Sequence, residues 1–133
     1  MIGMRILVAE DTELDAFLLI KILESLGHEA VWQNDGRKAL AAMVDHACPV
    51  VISDWMMPGT DGISLCRSIR ELKTPFYVYF ILLTAKISQG EGCKVLANGV
   101  DAFLPKPVIR ETLRAKLNVA SSTLRDFQRQ LAG

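Results

Sequence analysis

Val50-Val51-Ile52-Ser53-Asp54-Trp55-Met56-Met57-Pro58-Gly59-Thr60-Asp61-Gly62 holds a strand, a sharp turn and the start of a helix in one short stretch. Its first three residues are β-branched and apolar without alternation, the pattern of a strand covered on both faces in a parallel sheet. A carboxylate, Asp54, stands where that run ends. Met56-Met57-Pro58-Gly59 reads as a turn, and Asp61 is placed to cap a helix with Leu65, Cys66 and Ile69 on one face. Strand, turn and helix in this order form half of a βαβ unit, because parallel strands need a long crossover between them.

The same pattern recurs on both sides. Strand-like segments are predicted at 6–9, 30–32, 50–52, 77–83 and 100–104, each followed by a helical stretch. Thr12 is placed to cap a first helix with Leu14, Phe17, Leu18 and Ile22 on one face, closed by Gly27. Asp35 is placed to cap a second, with Leu40, Met43 and Val44. Residues 88–98 carry the weakest helical pattern, with Gly99 as a stop, and a last helix follows Pro107. Five alternations of strand and helix predict a doubly wound α/β domain with a five-stranded parallel sheet, running from residue 4 to about 120.

The chain has 133 residues, 15 basic and 15 acidic, and is 50% hydrophobic, which suits one domain with a real core and excludes disorder. No apolar run approaches the roughly 18 residues of a membrane span, and the N-terminus lacks a signal-peptide layout. Cys48, Cys66 and Cys93 match no ligand spacing and read as reduced core thiols. A soluble, cytoplasmic protein is expected. Residues 1–61 hold ten acids and four bases, and residues 62–133 hold five acids and eleven bases. The basic residues are scattered among helix positions, so direct nucleic-acid binding is not expected. The acids of the first half are more informative.

In open parallel sheets, ligands bind beyond the carboxyl ends of the strands. Glu10 and Asp11 follow the first strand, Asp54 the third, Thr84 the fourth and Lys106 the fifth. Like charges about 4 Å apart cost roughly 4 kcal/mol at an effective dielectric of 20, so three carboxylates gathered there need a cation or a proton. An all-oxygen set suits Mg²⁺, with Lys106 as a further positive charge. Carboxylates are also nucleophiles that form acyl phosphates.

Glu10-Asp11, the segment from Asp54 to Gly62, Leu83-Thr84-Ala85 and Phe103-Leu104-Pro105-Lys106-Pro107 together resemble the signature of response-regulator receiver domains. The resemblance covers roughly residues 4 to 120 and implies a flavodoxin-like strand order of 2-1-3-4-5. It implies that Asp54 accepts a phosphoryl group from a histidine kinase or phosphotransfer protein. It also implies that Asp11, Asp54 and the Met56 carbonyl bind Mg²⁺, with Glu10 acting through a metal-bound water. Thr84 and Lys106 would hold phosphoryl oxygens, the Lys106–Pro107 bond would be cis, and Phe103 would turn inward with Thr84 as a switch. Lys86, two residues after Thr84, is expected to alter the hydrolysis rate.

Taken singly, each residue has a plainer reading: Glu10, Asp11 and Thr12 as helix-capping groups, Asp54 as a turn former, Thr84 as a strand end, Lys106 as a surface lysine and Phe103 as packing. Trp32, Trp55, His28 and His46 receive no role, beyond Trp55 adjoining the acceptor. Two rivals use similar architecture. A haloacid-dehalogenase-like phosphatase needs a second Asp two residues after the nucleophile, where this chain has Met56. A flavodoxin-like flavin binder needs a phosphate cradle in the first loop, where Glu10, Asp11 and Glu13 repel anions. No Gly-rich nucleotide-binding motif is present.

Leu113, Leu117, Ala120, Leu124, Phe127 and Leu131 are spaced as an a/d heptad seam, longer than one domain's core can bury. Residues 121–133 are therefore expected to extend the last helix as a coiled-coil linker between receiver and output domain, with a homodimer formed along it. The output would act in cis or through an effector protein, and the tail resembles receivers that precede diguanylate cyclase or phosphatase domains.

Overall fold

The computed structural model describes residues 3–85 and 95–132. The strands are β1 (Arg5–Ala9), β2 (Glu29–Gln33), β3 (Val50–Asp54), β4 (Tyr79–Thr84) and β5 (Ala102–Pro105). Among the described residues the helices are α1 (Glu13–Ser25), α2 (Gly36–His46), α3 (Gly62–Glu71) and α4 (Arg110–Ala132). All strand pairs are parallel, in the order β2-β1-β3-β4-β5. The predicted helix at 88–98, together with Lys86 and Cys93, lies mostly or wholly outside the described residues.

The three unbroken apolar runs are the three central strands. Every residue of β3 and β4 is buried, whereas no residue of the edge strand β2 is fully covered. Alternate residues feed two cores. Leu7, Val51, Phe80 and Leu82 meet Ala39 and Met43 of α2 and Leu65 and Ile69 of α3. Ile6, Val8, Ile52 and Ile81 meet Leu19 and Leu23 of α1 and Leu113 and Leu117 of α4. Helices thus cover both faces, and the sheet is doubly wound.

Asp35 and Asp61 cap their helices as expected, each accepting a backbone N–H three residues on, from Lys38 and Ser64 at 2.7 and 2.8 Å. Thr12 occupies the cap position of α1, but its side chain makes no capping bond. Gly27, with φ of 88°, ends that helix in the left-handed region that glycine adopts without strain.

The expected face of α1 is wrong. Ala16, Leu19 and Leu23 are buried, while Leu14, Phe17 and Leu18 are more than half exposed and Ile22 is partly covered. Eight of the 13 residues of α1 are apolar, so the pattern does not single out one face. Val44 of α2 is likewise exposed, and Ala39 and Ala42 pack in its place. The last two strands start two residues later than expected, at Tyr79 and Ala102. Cys48 and Cys66 are buried free thiols, and desolvation pushes both up to about 11. His28 is also buried, and its Nδ1 accepts the Met4 N–H at 3.0 Å.

Candidate functional site

The sheet brings the four chosen strand ends to one edge. Asp54 and Thr84 are the last residues of β3 and β4, Glu10 follows β1 directly, and Lys106 follows β5. Parallel register forces this, because Asp54 pairs with Leu83 and Thr84 with Pro105. The Lys106 N–H donates to the Thr84 carbonyl at 2.9 Å, fixing the lysine backbone beside that strand end. The Lys106–Pro107 peptide is cis.

Oxygens of Glu10, Asp11 and Asp54 all lie within 4.8 Å of one another, with Glu10 and Asp54 buried and Asp11 exposed. Lys106 Nζ donates to Asp54 Oδ2 at 2.9 Å and to Glu10 Oε2 at 3.3 Å. Glu10 Oε1 accepts the Thr12 N–H at 3.1 Å, so both of its oxygens are engaged. Burial raises the Glu10 carboxyl above its ordinary range; the Asp54 charge adds to this, against the Thr12 N–H and Lys106. Burial alone would lower Lys106, but its bonds and attraction to Asp54 and Glu10 outweigh this and raise it. One ammonium facing three acids leaves negative charge over. That surplus, presented by oxygen atoms alone, fits a small divalent cation such as Mg²⁺.

Other groups hold the acids in place. Trp32 Nε1 donates to the Glu10 carbonyl at 2.9 Å, a role the sequence reading did not assign. Asp15 Oδ2 lies 3.9 Å from Lys106 Nζ and adds a fourth acid at the rim. Its place one helical turn after Asp11 was the available signal. Gly62 approaches β3 so closely that a Cβ there would sit 2.4 Å from the Asp54 carbonyl oxygen. Trp55 is partly covered by the α2–α3 core, and Met56 is 75% exposed. Phe103 is partly buried on the α2–α3 face, opposite to Ala102 and Leu104.

Comparison with known proteins agrees with this geometry. The family model "Response regulator receiver domain" matches residues 6–118. The virulence sensor protein BvgS of Bordetella bronchiseptica is 33% identical over 128 residues, covering 91% of this chain and 10% of BvgS. This chain thus spans about a tenth of that relative's length. The receiver domain of a sensor histidine kinase from Pseudomonas aeruginosa, solved with magnesium coordinated in its active-site cleft, is 30% identical with a TM-score of 0.78, covering 86% of this chain and 94% of that one. A two-component response regulator/GGDEF domain protein superposes with a TM-score of 0.84 at 25% identity, covering 92% of this chain and 51% of that one. With five parallel strands in the order 2-1-3-4-5 and an acid cluster and lysine at their carboxyl ends, this chain belongs to the response regulator receiver domain family.

Proposed function

We propose that the chain is a phosphorylation-dependent switch that accepts a phosphoryl group on Asp54 from a histidine kinase or phosphotransfer protein. The observation carrying this reading is the Asp54 carboxylate, 2.9 Å from Lys106 Nζ and clustered with Glu10 and Asp11. An Asp54 oxygen attacks the phosphorus of a phosphohistidine, the P–N bond breaks toward the imidazole, and an acyl phosphate forms. Such a transfer needs alignment and charge neutralisation above all. Mg²⁺, held by Asp11, Asp54 and the Met56 carbonyl, supplies much of that neutralisation when bound. Lys106 exchanges its bond to Asp54 for one to a phosphoryl oxygen, and the Thr84 hydroxyl, at the adjacent strand end, takes another. Phe103 follows Thr84 as the switch aromatic. On this reading the receiver at most catalyses its own phosphorylation and dephosphorylation.

The wider assignment rests on the same reading. Residues 1–120 form the receiver, and 121–133 extend its last helix as a linker to an output domain in cis, or to an effector. A receiver similar to this one precedes a GGDEF domain in the 25%-identical neighbour, which supports an output of that kind. A homodimer along the linker seam and a cytoplasmic location complete the proposal. No helix among the described residues is long and apolar enough to cross a membrane.

Beryllofluoride with Mg²⁺, a mimic of the acyl phosphate, is expected to form a stable one-to-one complex that protects Asp54 from labelling. Tight flavin binding, or turnover of many phosphate esters, would overturn the switch reading. The metal has its own test. Asp11→Asn is expected to weaken Mg²⁺ binding by about tenfold or more, read through Trp55 fluorescence. Glu10→Gln is expected to weaken it less, since both Glu10 oxygens are already engaged by Thr12 and Lys106. Unchanged Mg²⁺ affinity in Asp11→Asn would remove that ligand from the set.

A further inference from the structure

Seen along α4, the heptad seam changes character. Leu113, Leu117 and Ala120 are fully buried against the sheet, whereas Phe127 is 39% and Leu131 is 73% exposed. Leu124, between the two groups, is partly covered by the same core. The distal seam faces the side of its own domain, along a groove of about 590 Å³ lined by Met4, Phe76 and Tyr77 and by Leu124, Phe127 and Leu131. In the wall of that groove Phe127 lies flat on Tyr77, ring centroids 4.3 Å apart and planes within 3°.

Tyr77 is itself held on two other sides. Its hydroxyl donates to Asp101 Oδ1, and the Arg70 guanidinium stands 4.8 Å from its ring centroid. Arg70 also binds Asp101 at 2.9 Å and the Gly99 carbonyl at 2.7 Å. Asp101 in turn accepts the Phe80 N–H at 2.8 Å. The ring that meets Phe127 is thus anchored on the starts of β4 and β5, the strands whose far ends carry Thr84 and Lys106.

We propose that the Tyr77–Phe127 stack is an autoinhibitory latch that keeps the distal seam of α4 from a second copy of this chain. The inference rests on the proposed homodimer along that seam. A partner helix packing knobs at Leu124, Phe127 and Leu131 must approach the face that Tyr77 now occupies, so Phe127 cannot serve both partners. The occupant is a second copy because the seam keeps the 4-3-4 spacing past the point where its own domain covers it. Aromatic stacking contributes modestly, so the latch restrains dimerisation without preventing it.

The test is sedimentation equilibrium of the chain, with amide hydrogen exchange over residues 124–131 measured where the monomer dominates. Tyr77→Leu leaves the seam untouched and removes the ring. It is expected to tighten the dimer about two- to tenfold and to speed exchange in the tail. Phe127→Leu, on the helix surface, keeps an apolar knob and loses the stack. It should tighten the dimer too, and adding Tyr77→Leu to it should bring no further tightening, because both act on one contact. A dimer of unchanged affinity in Tyr77→Leu, or full additivity of the two changes, would overturn the latch and leave the stem standing. A monomer in every variant, with or without beryllofluoride, would overturn the dimer reading and the latch with it.

Discussion

Asp54→Asn is expected to show no phosphoryl adduct after incubation with acetyl phosphate or a cognate kinase, a loss of more than about a hundredfold. The amide has nearly the same shape and still offers an oxygen to Lys106, but it is no nucleophile toward phosphorus. The fold should survive. Asp54 sits at the tip of β3 and its side chain bonds Lys106, not the core. Removing one of three clustered carboxylates also relieves repulsion, so the thermal midpoint should hold or rise slightly. Intact-mass spectrometry after labelling reads the adduct, and a thermal melt reads the fold. The neighbours are poor substitutes as acceptors. Both Glu10 oxygens are engaged, and Asp11 is exposed at the rim. An adduct of undiminished yield on Asp54→Asn would move the acceptor elsewhere.

The candidate site was legible because its residues lie at strand ends, and strand ends are where local pattern speaks most clearly. An unbroken run such as Val50 to Ile52 can only be a doubly covered strand or a piece of buried helix, and its length decides. Once five strands are parallel, their carboxyl ends share an edge whatever the details, and Glu10, Asp11, Asp54, Thr84 and Lys106 must meet there. What stayed hidden depends on choices that periodicity does not encode. In α1 apolar side chains surround most of the helix, so only tertiary packing selects Ala16, Leu19 and Leu23 over Leu14, Phe17 and Leu18. Trp32 reaches Glu10 from 22 residues away, and Tyr77 reaches Asp101 from 24. Both pairings follow from register between strands, which no local motif marks. Tyr77 instead reads as the first residue of a strand, and its position just ahead of β4 frees its ring for Phe127.

That hidden network predicts the largest stability effect outside the hydrophobic core. Asp101→Ala is expected to destabilise the chain by about 2–3 kcal/mol, lowering the thermal midpoint by roughly 10 °C. One carboxylate accepts from Arg70, Tyr77 and the Phe80 backbone, so its loss takes an acceptor from all three at once. Arg70 and Asp101 keep 26% and 18% of their side-chain exposure, so water softens the penalty below that of a fully buried pair. Tyr77→Phe removes one hydroxyl bond and retains the stack, so it should cost only about 1 kcal/mol. Arg70 keeps its bonds to the Gly99 and Val78 carbonyls in either variant, which bounds the loss from above. A midpoint for Asp101→Ala within a degree or two of the parent would mean that the network carries little stability. Well below its own midpoint, Asp101→Ala should bind beryllofluoride as the parent does. Asp101 stands at the start of β5 and Lys106 just past its end, so the strand places the stabilising network at one edge of the sheet and the Lys106–Asp54 pair at the other.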